Sequence, residues 1–372
     1  MRKIMIIFGT RPEAIKMAPV IRDLRKYPLD FLTIVCVTSQ HREMLDQVLK
    51  LFEIVPDIDL NLMRNNQSLA TLTASALTSL DKVIADIRPD WILVQGDTST
   101  TMTASLVAYY NKIKLGHIEA GLRTGNKYAP FPEEINRSIT SVIADLHFAP
   151  TNDARNNLLS EGIHEENIVV TGNTEIDALL LVKNKNKEIP PDMPETIREF
   201  IDCKRLILVT GHRRESFGRP FEEICYAIRE IVIRHPEVCV VYPVHLNPNV
   251  QGPVNEILGN MDRIYLTAPM PYDKFVWLME KAYIILTDSG GVQEEAPSLQ
   301  KPVLVMREVT ERPEGVESMC SRLTGVNRQM IIDSVCRLLE NDNLYRDMSN
   351  LKSPYGDGSA SERIVTALKE YD

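Results

Sequence analysis

Short runs of β-branched and apolar residues recur along the first half of the chain at 3–8, 32–38, 91–96, 115–118, 146–149 and 168–171. The segments between them are amphipathic and of helix length, so the pattern predicts strands alternating with helices, the arrangement of a parallel sheet with both faces covered. A polar, proline-bearing stretch from Lys183 to Pro194 interrupts this rhythm. It then restarts at 205–210, 238–244, 263–267, 282–287 and 302–306. The expected fold class is therefore α/β, with two Rossmann-like domains over 1–172 and 173–359. A last helix within 360–372 is expected to pack back on the first domain. A chain of 372 residues fits this division, being longer than one ordinary hydrophobic core organises.

Both halves open alike, with an apolar strand running into Gly, a polar residue and Arg: Gly9-Thr10-Arg11 and Gly211-His212-Arg213. Ligands of open α/β sheets bind beyond the carboxyl ends of the strands, so the two sets of loops are expected to face one central cleft.

Composition narrows the class. Apolar residues make up 44% and charged residues 25%, close to globular averages. The apolar run after Met1-Arg2-Lys3 stops at Gly9, too short for a signal peptide, and no stretch reaches the roughly 20 apolar residues that cross a bilayer. The six cysteines are scattered without a Cys-x-x-Cys pair, which reads as a reducing, cytoplasmic setting with thiols acting as small buried residues. A net charge of -9 argues against a nucleic-acid partner, so a phosphorylated ligand would need locally gathered cations.

Neither the dinucleotide fingerprint nor a Walker loop follows an opening strand. Thr287-Asp288-Ser289-Gly290-Gly291-Val292-Gln293-Glu294-Glu295 instead runs from an apolar strand into a helical pattern. Paired glycines there expose backbone N–H groups and a helix N-terminus to an anion, although an ordinary tight turn has the same composition. Glu294 and Glu295 are suited to ribose hydroxyls, and equally to the positive end of a helix. Arg11 and Lys16 in the first half, and His212, Arg213 and Arg214 in the second, provide cations where a diphosphate would sit. Asp97 and Glu119 each end a first-half strand, and Asp97, before Thr98-Ser99-Thr100, could equally be a helix N-cap. Glu133 and Glu134 follow Pro132, and an ion pair of Glu133 with Arg137 would account for both residues. Convergent acids with His212 would make an acid–base site. No His or Cys spacing points to a metal, and His117, His147, His164 and His235 read as structural or exposed.

Six segments in order across the chain carry a resemblance: 8–16 (Phe-Gly-Thr-Arg-Pro-Glu-Ala-Ile-Lys), Gly96-Asp97-Thr98, 116–124 (Gly-His-Ile-Glu-Ala-Gly-Leu-Arg-Thr), 132–137 (Pro-Glu-Glu-Ile-Asn-Arg), 211–215 (Gly-His-Arg-Arg-Glu) and 288–291 (Asp-Ser-Gly-Gly). Together they resemble the signature of the non-hydrolysing UDP-N-acetylglucosamine 2-epimerases. The resemblance implies a GT-B-like pair of Rossmann domains, the architecture of many nucleotide-sugar glycosyltransferases. It implies that Arg11, Phe275, Ser289, Gly290, Gly291, Glu295 and Arg312 bind the uridine diphosphate. Lys16, Asp97, Glu119, Glu133, Arg137 and His212 match catalytic and sugar-side positions, with acid and base not allocated among them. It further implies UDP-N-acetylglucosamine and UDP-N-acetylmannosamine as substrates, no cofactor, no metal, a homodimer, and a supply of N-acetylmannosamine units to cell-surface polysaccharide. Gln40, His41, Arg213 and His245 match an activator site found in bacterial members, while Glu43, Asn66 and Met270 depart from the residues some relatives carry. A UDP-sugar glycosyltransferase and a non-catalytic UDP-sugar sensor are the competing readings.

Overall fold

A computed structural model describes residues 1–38, 42–62, 64, 67–185, 188–190, 193–195, 197–198 and 205–371. The chain divides into two compact units, Met1–Leu180 with Tyr355–Asp372, and Leu181–Pro354. The strands of the first unit are β1 (Arg2–Phe8), β2 (Phe31–Val37), β3 (Ile58–Asp59), β4 (Trp91–Gln95), β5 (Lys114–Ile118), β6 (Leu146–Ala149) and β7 (Ile168–Val170). Those of the second are β8 (Arg205–Thr210), β9 (Val238–Pro243), β10 (Ile264–Thr267), β11 (Ile284–Thr287), β12 (Val303–Val305) and β13 (Ser321–Leu323).

All pairings are parallel, as the alternation required. The first sheet runs β3-β2-β1-β4-β5-β6-β7 and the second β10-β9-β8-β11-β12-β13. Strand order therefore reverses between β1 and β4 in one unit and between β8 and β11 in the other, the places where doubly wound sheets leave a crevice at their carboxyl ends. Burial explains why the strands were readable. Ile4 to Phe8 are completely buried in succession, as expected of a central parallel strand sandwiched between helices. Each such side chain contributes about 1.5–3 kcal/mol through its removal from water. The strands outside the apolar pattern are β3 and β13, edge strands of two and three residues, too short to show a period.

The helix Ala360–Glu370 packs against the helix Arg11–Leu24. Arg2 donates from Nη1 to the carbonyls of Leu368 and Tyr371, each at 2.8 Å. At the other end of this helix Asp177 accepts from the Ser361 backbone N–H at 2.8 Å and from its hydroxyl at 2.7 Å. Because Asp177 lies in the helix Thr174–Lys185, this contact holds that helix's first turns in the first unit, and the division falls after 180 and after 354 rather than after 172 and 359. Cys36, Cys225, Cys320 and Cys336 are free thiols. Cys239 is in a disulfide, which corrects the expectation of reduced cysteines at that position. No helix among the described residues is long and apolar enough to cross a membrane.

Candidate active site

The turn after β1 is built by close approach. A Cβ on Gly9 would stand 2.1 Å from Thr38 Oγ1 and 2.8 Å from Thr100 Oγ1, so only glycine fits. Thr10 then caps the helix Arg11–Leu24 in a capping box with Glu13. Glu13 does more than cap. Its Oε2 accepts from the N–H groups of Gly9 (3.0 Å) and Thr10 (2.8 Å), and its Oε1 from the hydroxyls of Thr98 (2.6 Å) and Thr101 (3.2 Å). One buried carboxylate thus ties the turn after β1 to the turn after β4, although burial outweighs those hydrogen bonds and raises its pKa.

Two polar clusters sit beside this tie. Lys16 Nζ lies 2.5 Å from Glu119 Oε2 and 3.5 Å from Glu175 Oε2, with Lys16 and Glu119 side chains only 11% and 9% exposed. Gln95 Nε2 donates to the same Glu119 oxygen at 3.0 Å. Glu119 holds a left-handed backbone with φ 63°, a conformation costly for a residue with a Cβ and characteristic of strained functional turns. The second cluster pairs Asp97 Oδ2 with Arg137 Nη2 at 2.6 Å, while Asn136 Nδ2 donates to the Asp97 carbonyl at 2.9 Å. Asp97 is not an N-cap, because Thr98 occupies that position and accepts from the Thr101 N–H. Burial raises the Asp97 carboxyl above its ordinary pKa; Arg137 opposes the rise and the charge of Glu119 adds to it.

The expected ion pair of Glu133 with Arg137 is corrected. It is the buried Glu134 whose Oε2 lies 3.5 Å from Arg137 Nη1, and the same carboxylate accepts from the N–H groups of Thr124 and Gly125. Glu133 stands half-buried at the head of the helix Glu133–Ile143. His117 is fully buried, its pKa pushed down to about 3 by desolvation. A neutral ring 2.7 Å from the Gly96 carbonyl must donate from Nε2, so His117 supports the β4 turn.

In the second unit the turns after β8 and β11 are joined by Asp288. Its Oδ2 accepts from the N–H groups of His212 (2.6 Å) and Arg213 (2.8 Å), and its Oδ1 lies 3.2 Å from His212 Nδ1. Burial alone would raise this carboxyl, but the hydrogen bond and charge of His212, with the two backbone donors, hold it below its ordinary pKa. His212 stacks on His245 with ring centroids 5.4 Å apart. Tyr242 donates to the Gly211 carbonyl at 3.1 Å, fixing the start of the turn.

Ser289 is the N-cap of the helix Gly290–Ser298, so Gly290 and Gly291 present the free N–H groups of its first turn. A Cβ on Gly290 would stand 3.8 Å from Arg213 Nη2 and 3.9 Å from Arg312 Nη2: two guanidinium groups converge on the positive end of a helix. The Nε of Arg213 is buried with no hydrogen-bond partner among the described residues. Arg312 is aimed by an ion pair to the buried Glu294, and Glu295 Oε1 accepts from the Tyr272 hydroxyl at 2.5 Å. Phe275 is half-buried on the same helix as Tyr272, Tyr272–Lys281, and Arg11 is half-buried at the first position of its helix.

Of the residues expected from the sequence, the structure brings Lys16 with Glu119 and Asp97 with Arg137 in the first unit. In the second it brings His212, Arg213 and His245 together, and Ser289, Gly290, Gly291 and Arg312. Gln40 and His41, expected at an activator site, lie outside the described residues. Glu13, Gln95, Glu134, Glu175, Asp288 and Tyr272 were absent from the expected set. Glu13, Glu134 and Asp288 nevertheless lay in segments singled out above, Glu13 three residues after a threonine that opens a helix, whereas Gln95, Glu175 and Tyr272 carried no such signal.

Two doubly wound α/β units, one with a basic, glycine-lined helix N-terminus and the other with paired carboxylates and cations, place the protein in the class of α/β folds equipped for a phosphate-bearing ligand. The chain belongs to the UDP-N-acetylglucosamine 2-epimerase family, whose model matches residues 22–369. It is 54% identical to the UDP-N-acetylglucosamine 2-epimerase of Escherichia coli strain K12, over 99% of this chain and 98% of that protein. Its fold is similar to the Neisseria meningitidis UDP-GlcNAc 2-epimerase solved bound to UDP-GlcNAc, with a TM-score of 0.89, 50% identity, and 99% and 100% of the two chains covered. It is likewise similar to the S. aureus protein MnaA solved with UDP, with a TM-score of 0.88, 49% identity, and 100% and 97% covered.

Proposed function

We propose that the protein interconverts UDP-N-acetylglucosamine and UDP-N-acetylmannosamine by inverting C2, through elimination and re-addition of UDP. Family membership and the relative bound to UDP-GlcNAc support the substrate. The observation that carries the chemistry is the pairing of Asp97 with Arg137 beside Lys16 with Glu119, two carboxylates each held by a cation at one sheet's switch point.

C2 of the sugar is not adjacent to a carbonyl, so its proton becomes acidic only as the C1–O bond to phosphate breaks. A carboxylate, Asp97 or Glu119, removes the C2 proton while the C1–O electron pair departs with UDP. A C1=C2 double bond forms, giving 2-acetamidoglucal. Re-addition of the UDP oxygen to C1, with a proton delivered to C2 from the opposite face, gives the epimer. The raised pKa of Asp97 suits a group that takes and returns a proton. In this reading Arg213, Arg312 and the N–H groups of Gly290 and Gly291 stabilise the charge on the departing diphosphate, and Glu295 and Phe275 hold the nucleoside. The enzyme is read as acting in the cytoplasm, with Cys36, Cys225, Cys320 and Cys336 as free thiols on the side of that placement and the disulfide at Cys239 against it. It acts as a homodimer, consistent with Tyr109, Tyr110 and Val142 being exposed on the first unit at 66%, 62% and 83%.

Incubation with UDP-N-acetylglucosamine in deuterated water tests the reading. The expected outcome is both sugar nucleotides recovered with deuterium at C2. Unlabelled substrate with no manno product overturns it, and release of free N-acetylmannosamine with UDP assigns a hydrolysing reaction instead.

A further inference from the structure

His235, Cys336 and Glu340 form a cluster apart from the groups described above. His235 ends the helix Arg219–Arg234 just before β9, and Cys336 and Glu340 lie one turn apart on the helix Arg328–Glu340, which packs against it. The cluster thus sits by the amino-terminal end of β9, whereas His212 and Ser289 follow the carboxyl ends of β8 and β11. His235 Nε2 is 3.2 Å from Cys336 Sγ and 4.0 Å from Glu340 Oε1, and all three donor atoms lie within 4.8 Å of one another.

We propose that this cluster is a binding site for a borderline-soft divalent cation such as Zn²⁺. Zinc bonds of about 2.0–2.3 Å in a tetrahedron place N, S and O donors roughly 3.3–3.8 Å apart, so closing the site needs shifts of no more than about 1.5 Å. The Glu340 side chain, 70% exposed, is free to make that shift, whereas His235 is only 13% exposed. Thiolate, imidazole and carboxylate are a zinc-type donor set, and water would complete the coordination.

The surroundings are those of a prepared ligand. Glu237 Oε1 lies 3.2 Å from His235 Nδ1, a carboxylate behind the ring that fixes its orientation and leaves Nε2 to coordinate. Arg263 donates from Nη1 to the carbonyls of His235 and Val238 at 2.9 Å each, and from Nη2 to that of Val232 at 2.6 Å, locking the backbone that carries the imidazole. Cys336 is a free thiol. On binding it forms a metal–sulfur bond and gives its proton to solvent, and no redox partner is needed.

Titration of the full chain with Co²⁺ tests the site, because a cobalt–thiolate bond absorbs in the near ultraviolet and tetrahedral cobalt absorbs strongly in the visible. One cobalt per chain with both features is expected, displaced by Zn²⁺. Cys336→Ser should abolish the thiolate band while keeping its thermal unfolding transition and epimerase rate. Glu237→Gln should weaken binding by about tenfold without removing the band. No thiolate band in the wild type, or a band that survives in Cys336→Ser, overturns the proposal and leaves a thiol–imidazole hydrogen bond.

Discussion

The two units use one topology for opposite electrostatic ends. Each places an aspartate in a turn at its switch point, Asp97 after β4 and Asp288 after β11. Asp97 is half-buried near Glu119 and has its pKa raised; Asp288 turns inward onto two backbone N–H groups and His212 and has its pKa lowered. On the function proposed above, the first arrangement suits a carboxyl that transfers a proton. The second spends the carboxyl's charge on holding a loop, so that the neighbouring arginines and helix N-terminus remain available to an anion. Sheet order fixes where a site forms, and the partners of one carboxylate fix what it does.

The strongest way to break this contrast is to remove ionisation in the first unit alone. Asp97→Asn and Glu119→Gln should each lower kcat by roughly 10²–10⁴-fold while calorimetry still detects UDP binding near wild-type affinity. Wild-type turnover in either variant would refute its assignment.

Next in size is removal of one of the two guanidinium groups that meet Gly290. Arg312→Ala should weaken UDP binding by roughly 10–100-fold, the loss of a charge-assisted hydrogen bond of about 1.5–3 kcal/mol, with kcat reduced less than kcat/KM. A drop confined to kcat would place Arg312 among the acid–base groups instead.

Asp288→Asn should destabilise the second unit by about 1–3 kcal/mol at neutral pH through its loop contacts. The pH dependence sharpens the comparison. With its folded pKa below the ordinary 3.8, Asp288 contributes stability that is present above 3.8 and lost as pH falls through its lowered value. Asp97, with its folded pKa raised above 3.8, has the reverse sign: its ionisation opposes folding at neutral pH, and the penalty disappears on acidification through the raised value. Urea unfolding from pH 7 to pH 3 should therefore show the Asp288→Asn deficit shrinking below about pH 4, whereas Asp97→Asn should be neutral or stabilising at pH 7. A deficit for Asp288→Asn independent of pH would mean that its charge does not hold the loop.

The smallest effect lies outside both sites. Ser68 caps the helix Leu69–Ile87 by accepting from the Thr71 N–H, and Ser68→Ala should cost about 1 kcal/mol of stability with kcat unchanged. A change in kcat would show that stability of the first unit and its chemistry are not separable.

Much of the fold was legible because parallel strands buried on both faces must be continuously apolar, as Ile4 to Phe8, Trp91 to Val94 and Ile284 to Leu286 are. The glycine turns and the residues that end strands were legible for a related reason: their local geometry demands particular residue types. What the sequence by itself determined is therefore the alternation, the two switch-point loops and the family signature carried on them. Tertiary structure decided the rest. It selected Glu134 over Glu133 as Arg137's neighbour although both lie within one turn of it, because the Thr124 and Gly125 N–H groups hold the Glu134 carboxylate in place. It made Glu13 a tie between two turns and set the opposite pKa shifts of Asp97 and Asp288, and it drew His235 to Cys336 across 101 positions. Those outcomes depend on burial and on partners distant in sequence, and neither leaves a period or a spacing to read.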